Sequence, residues 1–253
     1  MSIDALIARL DAYDADPSAV RLRTRSYELL GDPAGLVADV GCGAGLAVAE
    51  LAERGVQAVG VDVSEQMIEL ARRRRSGADF RIGGACDLPF GDGELAGYRA
   101  DKVFHELADP TRALAEARRV LMPGGRIVLV GQDWDTFVID SSAPELTRRI
   151  VHARADQITS PRAARAHRSL LLDAGFQDVA VEVHTAVFTG QRAEPMLGML
   201  TAAAEAACTS GVVTRAEADG WLAEQRDRVR SDRFLLAVPM FVAAATRPPS
   251  RTA

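Results

Sequence analysis

The stretch VADVGCGAG at residues 37–45 constrains this chain more than any other. An apolar run leads into three alternating glycines, and a segment with helical spacing of apolar residues follows. Gly41, Gly43 and Gly45 let the backbone turn tightly and approach a ligand closely. The N–H groups exposed where the next helix starts favour an anion. Asp62 closes the following apolar stretch, GVD at 60–62. An acid about 20 positions past such a loop can take both hydroxyls of a ribose. A glycine loop alone also fits a tight strand–helix turn with no ligand. Asp39 and Asp62, with strand and helix on both sides, argue against that alternative.

Enzymes that bind dinucleotides through such a loop prefer GxGxxG. Here the spacing is GxGxG, and Leu46 fills the slot of the last glycine. Asp39 would also sit close to a pyrophosphate and repel it. It suits a ligand that carries an ammonium group. S-adenosylmethionine offers a ribose, an adenine and an amino acid, and no phosphate.

The rest of the chain supports a layered α/β fold. Apolar strands are expected at Leu36–Val40, Gln57–Val61, Asp79–Ile82, Gly97–Val103 and Arg126–Val130. Helices are expected at 45–54, at Ser64–Arg75 with Ser64 as cap, and at Thr111–Leu121, ended by PGG at 123–125. Strands that are apolar throughout and alternate with helices predict a parallel sheet covered on both faces. Further on, Ala143–Ile158, Pro161–Ala174, Ala193–Cys208 and Arg215–Arg230 read as helices. Val179–Val187 alternates like a strand, and Phe234–Ala245 is a long final strand in which Pro239 suggests a bulge. One domain over 1–253 is the simplest reading. It has a helical lid at 1–30, a ligand-binding half at 35–135 and a substrate-side half at 136–247. A helical insertion at 190–231 would roof a pocket.

Composition narrows the function classes. The formal charge is −5 over 253 residues, which argues against a dedicated nucleic-acid binder. The three cysteines, Cys42, Cys86 and Cys208, are widely spaced and suggest neither disulfides nor a metal centre. The N-terminus has no cationic start followed by an apolar run, so it reads as no signal peptide. The longest apolar run is too short to span a bilayer. A soluble cytoplasmic protein without membrane or nucleic-acid partners is expected, as monomer or homodimer.

Four motifs in order resemble the class I S-adenosylmethionine-dependent methyltransferases, in the small-molecule group called methyltransferase domain 11. They are VADVGCGAG, GVDVSEQMIELAR (60–72), GGACDLPFGDGELAG (83–97) and YRADKVFHELADPTRALAEARRVLMPGGRIVLV (98–130). The resemblance implies a seven-stranded Rossmann-like sheet, mostly parallel, with an antiparallel last strand. It implies S-adenosylmethionine as cofactor. Asp39 and the loop Gly41, Cys42, Gly43 and Gly45 would hold the methionine part. Asp62 would bind the ribose, and Val63 would pack on the adenine. Ala85 and Cys86 would offer N–H groups to the ring. Lys102 to His105 would pass near the sulfonium. Gly84 stands where many relatives have an acid, and Asp87 is a candidate substitute, with a solvated loop acid as its alternative.

Methyl transfer from an activated donor chiefly needs alignment and exclusion of water. A base is needed only for a weakly acidic acceptor. His105, at the carboxyl end of the fourth strand, is the candidate, with a packed structural histidine as the alternative. Tyr13, Arg25, Tyr27 and Trp134 are candidates for lining the substrate site. The expected activity is methylation of a small organic molecule, such as an aromatic or polyketide-like metabolite. A non-methylating rearrangement on the same cofactor and a non-catalytic subunit are the alternatives.

Overall fold

The computed structural model describes residues 11, 12 and 14–249. They fall into two compact units. The larger holds Arg23–Gly131, Ala163–Val183 and the chain from Phe241 on. The smaller holds the described chain up to Leu22, Gln132–Arg162 and His184–Met240. No helix among the described residues is long and apolar enough to cross a membrane.

The larger unit is an α/β layer structure. Most of helix α1 (Pro17–Leu30) precedes β1 (Val37–Val40), α2 (Leu46–Glu53), β2 (Ala58–Asp62), α3 (Glu65–Arg74) and β3 (Asp79–Ile82). Then come β4 (Leu95–Asp101), a 3-10 turn at Phe104–Glu106, α4 (Pro110–Val120) and β5 (Leu121–Gln132). The strand order is β3-β2-β1-β4-β5, parallel throughout. The β1 strand is buried along its whole length, as a central parallel strand requires. Helix α6 (Ala163–Asp173) packs with α4 against one face, where Tyr98, Ala100, Ile127 and Leu129 meet Leu114, Ala117 and Leu171. The last strand, β8 (Leu235–Thr246), follows β5 in the sheet and also pairs with β7 (Gln177–Thr189).

Local chemistry explains the boundaries. Ser64 caps α3 as expected, its hydroxyl accepting from the Met67 N–H at 3.3 Å. Asp109 caps α4, with Pro110 in the first turn where its missing N–H costs nothing. The fourth strand starts two residues earlier than expected and stops at Asp101, because Lys102 turns into the left-handed region at φ 61°. The PGG segment is a bulge inside β5 rather than a turn before it: Leu95 pairs with Leu121 and Gly97 with Arg126.

The smaller unit is mainly helical. It contains β6 (Val138–Ile139), α5 (Pro144–Ala155), a 3-10 segment at Gly190–Met196, α7 (Leu197–Thr209) and α8 (Arg215–Arg230). The β6 strand, absent from the sequence expectation, pairs antiparallel with the start of β8 and brings the sheet to eight strands. That pairing covers only Leu236 and Ala237, so Pro239 lies beyond it. A capping box at Thr214 and Glu217 starts α8. Trp221 of α8 donates its Nε1–H to Thr147 Oγ1 of α5 at 2.9 Å, so the buried indole loses no hydrogen bond.

His167 of α6 is 1% exposed, beside Gly131 and edge-on to the Phe104 ring, and neither ring nitrogen has a hydrogen-bond partner among the described residues. Burial pushes its pKa down to about 4. Below about pH 6.5 the unfolded chain takes a proton there that the folded chain refuses. Stability contributed above pH 6.5 is therefore lost as pH falls toward 4, by about 3 kcal/mol in full. Urea unfolding at pH 7 and pH 4 should show this loss in the parent chain. A His167→Leu variant should lack that share of it.

Candidate active site

The three loop glycines adopt positive φ, 72° at Gly41, 52° at Gly43 and 78° at Gly45. Their reasons differ. A side chain on Gly41 would collide with Val103 Cγ2 at 2.3 Å, so this turn packs directly on the segment just after β4. Gly43 faces open space. Gly43→Ala should therefore cost about 1 kcal/mol of stability from backbone strain alone. Gly41→Ala should cost more, because Val103 must also move. Thermal melts of the two variants check the order.

Asp62 ends β2 beside this loop. Its Oδ2 accepts from the Gly43 N–H and its Oδ1 from the Ser64 N–H, both at 2.9 Å. The carboxylate is thus fixed in orientation, yet each oxygen keeps a second acceptor site. Val63, next in the chain, is 72% exposed. A large apolar side chain left open beside a fixed carboxylate is the arrangement a nucleoside needs: a face for the base and acceptors for the ribose. The loop from Gly83 completes it. The Gly83 N–H donates to the Asp62 carbonyl at 3.1 Å, and the Asp87 N–H closes a turn on the Gly84 carbonyl at 3.0 Å. Ala85 is buried, Cys86 half-buried and Asp87 exposed. Gly84 lies beside Val63, with no side chain of its own to cover it.

Beside the loop sits an ionic network that the sequence reading did not anticipate. Arg99, in the middle of β4, is 2% exposed. Its Nη1 donates to Asp39 Oδ1 at 2.6 Å, its Nη2 to Asp101 Oδ2 at 2.8 Å and its Nε to Ser26 Oγ at 2.7 Å. Asp39 is 3% exposed, so its carboxylate is committed to Arg99. Burial pushes the Asp39 carboxyl up, and the Arg99 guanidinium pulls against that push. Burial also works against the charge on Arg99, but Asp39 and Asp101 outweigh it and hold the guanidinium protonated. Lys102 adds a second cation, Nζ to Asp101 Oδ1 at 3.1 Å. Burial alone would raise the Asp101 carboxyl, yet Lys102 and Arg99 hold it below the usual range. An arginine inside an otherwise apolar strand was the signal available: a buried guanidinium must find partners.

The remaining candidates are placed as follows. His105 lies in the 3-10 turn after β4, 8% exposed, with Nε2 3.0 Å from Glu106 Oε1. Tyr27 is a core residue: its hydroxyl donates to Glu50 at 2.8 Å and its ring lies under the Arg99 guanidinium. Arg25 is held by Glu28 and Glu182, in a groove with Gly31 and Met122–Arg126. That groove is at the start of β1 and β5, the opposite end from the glycine loop. The expected substrate roles of Arg25 and Tyr27 thus give way to structural ones. Tyr13 lies outside the described residues. Trp134 belongs to the smaller unit, where Arg154 stacks on its ring and Phe137 lies 5.5 Å away. Met199 and Leu200 complete a small apolar cavity there.

Residues 38–129, from β1 through β5, match the family model of the methyltransferase domain, type 11. Over that stretch the chain is similar to the class I S-adenosylmethionine-dependent methyltransferases. A 37.1 kDa protein of unassigned function in transposon Tn4556 of Streptomyces fradiae is 35% identical over 248 residues, covering 95% of this chain and 66% of that protein. An O-methyltransferase of Penicillium expansum is 33% identical over 154 residues, 57% of this chain and 53% of that one. The chain therefore spans less than two thirds of either curated relative. Among solved structures, phosphoethanolamine N-methyltransferase 2 of Haemonchus contortus, in complex with phosphomonomethylethanolamine and S-adenosylhomocysteine, superposes with a TM-score of 0.58. It is 17% identical, and the match covers 94% of this chain and 57% of that one. At that identity the methyltransferase fold is what the two share.

Proposed function

We propose that the chain is an S-adenosylmethionine-dependent methyltransferase acting on a small organic molecule. The observation that carries this reading is the Asp62 carboxylate, oriented by two backbone N–H groups beside the exposed Val63. When bound, S-adenosylmethionine supplies a methyl group already activated on a sulfonium. Asp62 accepts from the ribose hydroxyls, and Val63 provides an apolar face for the adenine. Ala85 and Cys86 offer backbone N–H groups at the ring edge, with Asp87 beside them. Gly41, Cys42, Gly43 and Gly45 let the backbone approach the ligand. His105 takes the acceptor's proton where the acceptor needs a base. Small-molecule chemistry is supported by relatives named for O-methylation and for methylation of demethylmenaquinone. Free thiols at all three cysteines fit a cytoplasmic enzyme.

The test is transfer of labelled methyl from S-adenosylmethionine into separated small-molecule, RNA and protein fractions. Label should enter the small-molecule fraction with the parent chain and be lost with Asp62→Ala. Label entering RNA or protein instead would overturn the substrate class. No transfer into any fraction would overturn the activity.

A further inference from the structure

We propose that strand β7 is a docking edge for a second copy of this chain, which pairs with it antiparallel about a two-fold axis at Val183 and joins two sheets into one. This pairing stands apart from the activity described above and does not depend on it.

β7 runs for 13 residues, Gln177–Thr189, and pairs with β8. Among the described residues no second strand lies along it, so one of its edges is open. Strands of globular proteins are usually about 5–6 residues long. Open edges are commonly blunted by lysine, by proline or by a covering element. From Val179 to Thr189 this strand has neither lysine nor proline. The Val179 carbonyl accepts from Arg168 Nη1 at 2.7 Å and keeps a second lone pair for a ladder. A long, bare edge of this kind is a ready template for another strand.

The side chains of β7 alternate between two faces. Ala186 and Phe188 are buried on one of them, the face on which Glu182 is tied to Arg25. The other face carries Val179, Val181, Val183, Thr185 and Val187. Val181 is 39% exposed, Val183 54% and Val187 55%. Apolar β-branched side chains in the open, in a row along one strand, suit packing across a strand pair.

The row is also complementary to itself. A two-fold axis perpendicular to the sheet keeps each face on its own side, so residues opposite one another lie an even number of positions apart in the sequence. Val183 is the midpoint of β7, and an axis there pairs the whole strand with its copy. Val183 then faces its own counterpart, Val181 faces Thr185 of the second copy, and Val179 faces Val187. On the opposite face Glu182 meets His184 of the second copy, an acceptor against a donor. The Glu182 carboxylate accepts from Arg25 and has lone pairs left for that donor. An axis at Glu182 would set two carboxylates against each other, and one at His184 two imidazoles. Axes further out shorten the ladder. Pairing about the axis uses the open edge of both copies, so assembly closes at two.

Sedimentation velocity over a concentration series tests this, and the parent chain should show a dimer that grows with concentration. Val183→Lys sets two ammonium groups opposite each other at the axis and should weaken association by about tenfold or more. Val183→Thr keeps the β-branch and should keep the dimer. Val183→Cys and Val187→Cys, each oxidised with diamide, read the register. Cysteines at 183 meet at the axis and should give a disulfide-linked dimer on a non-reducing gel. Cysteines at 187 stand roughly 26 Å apart in this pairing and should give no more than the parent chain does. If Val183→Lys does not fold, the two cysteine variants carry the test. A parent chain that stays monomeric throughout, a dimer that Val183→Lys leaves intact, or crosslinking at 187 instead of 183 would each overturn the pairing.

Discussion

Replacing Arg99 with leucine is expected to destabilise the fold by about 3–5 kcal/mol, the usual cost of leaving one partner of a buried ion pair alone. For a chain of this size that lowers the melting midpoint by roughly 10 °C. The reason is local. Among the described residues Arg99 is the donor to the Asp39 carboxylate, and it also ties Ser26 of α1 to β1 and β4. Without the guanidinium, Asp39 is a buried carboxyl that burial and the Asp101 charge push up, against Lys102. Its folded pKa then rises well above the unfolded value of about 3.9. A group with a raised folded pKa contributes stability at low pH and loses it as pH rises. The variant should therefore weaken between pH 4 and pH 7, by up to about 1.4 kcal/mol per pH unit. A second change, Asp39→Leu in the Arg99→Leu background, should recover much of the loss and remove that slope. Urea unfolding of both variants across this pH range checks the pair. Equal stability of parent and Arg99→Leu would show that the network contributes nothing.

Asp62→Ala is expected to weaken S-adenosylhomocysteine binding by about 100-fold to 10,000-fold. Two ribose hydroxyls on a charged acceptor contribute about 1.5–3 kcal/mol each. The substitution also releases the Gly43 and Ser64 N–H groups that Asp62 now fixes, so the loop loses its register against β2. Methylthioadenosine shares the ribose, so it should lose affinity by the same factor. Titration of both ligands against the variant reads this directly. An unchanged affinity for either ligand would remove Asp62 from the site.

What was legible in the sequence follows physical range. The glycine loop, Ser64 as helix cap, β3 at Asp79–Ile82 and α8 at Arg215–Arg230 are set by residues within a few positions of one another. Periodicity and caps report such features faithfully. The two-residue strand β6 has no period of its own and exists only because the start of β8 pairs with it. Apolar spacing alone extends α7 back to Ala193, but Pro195 cannot donate to an α-helical turn, and the chain winds as a 3-10 helix there. The tasks of Arg25 and Tyr27 depend on Glu182 and Glu50, far away in the chain. The role of Arg99 was hidden for the same reason: its partner Asp39 lies 60 residues away. A charged residue in an apolar strand announced that a partner existed, and only the register of β1 against β4 says which one.

The most direct test of the account is a crystal structure of the chain with S-adenosylhomocysteine. The account predicts both ribose hydroxyls within hydrogen-bond distance of the Asp62 carboxylate, the adenine against Val63, and the glycine loop at Gly41–Gly45 along the ligand. A ligand bound elsewhere, or an Asp62 carboxylate still held only by the Gly43 and Ser64 N–H groups with the ligand present, would contradict it.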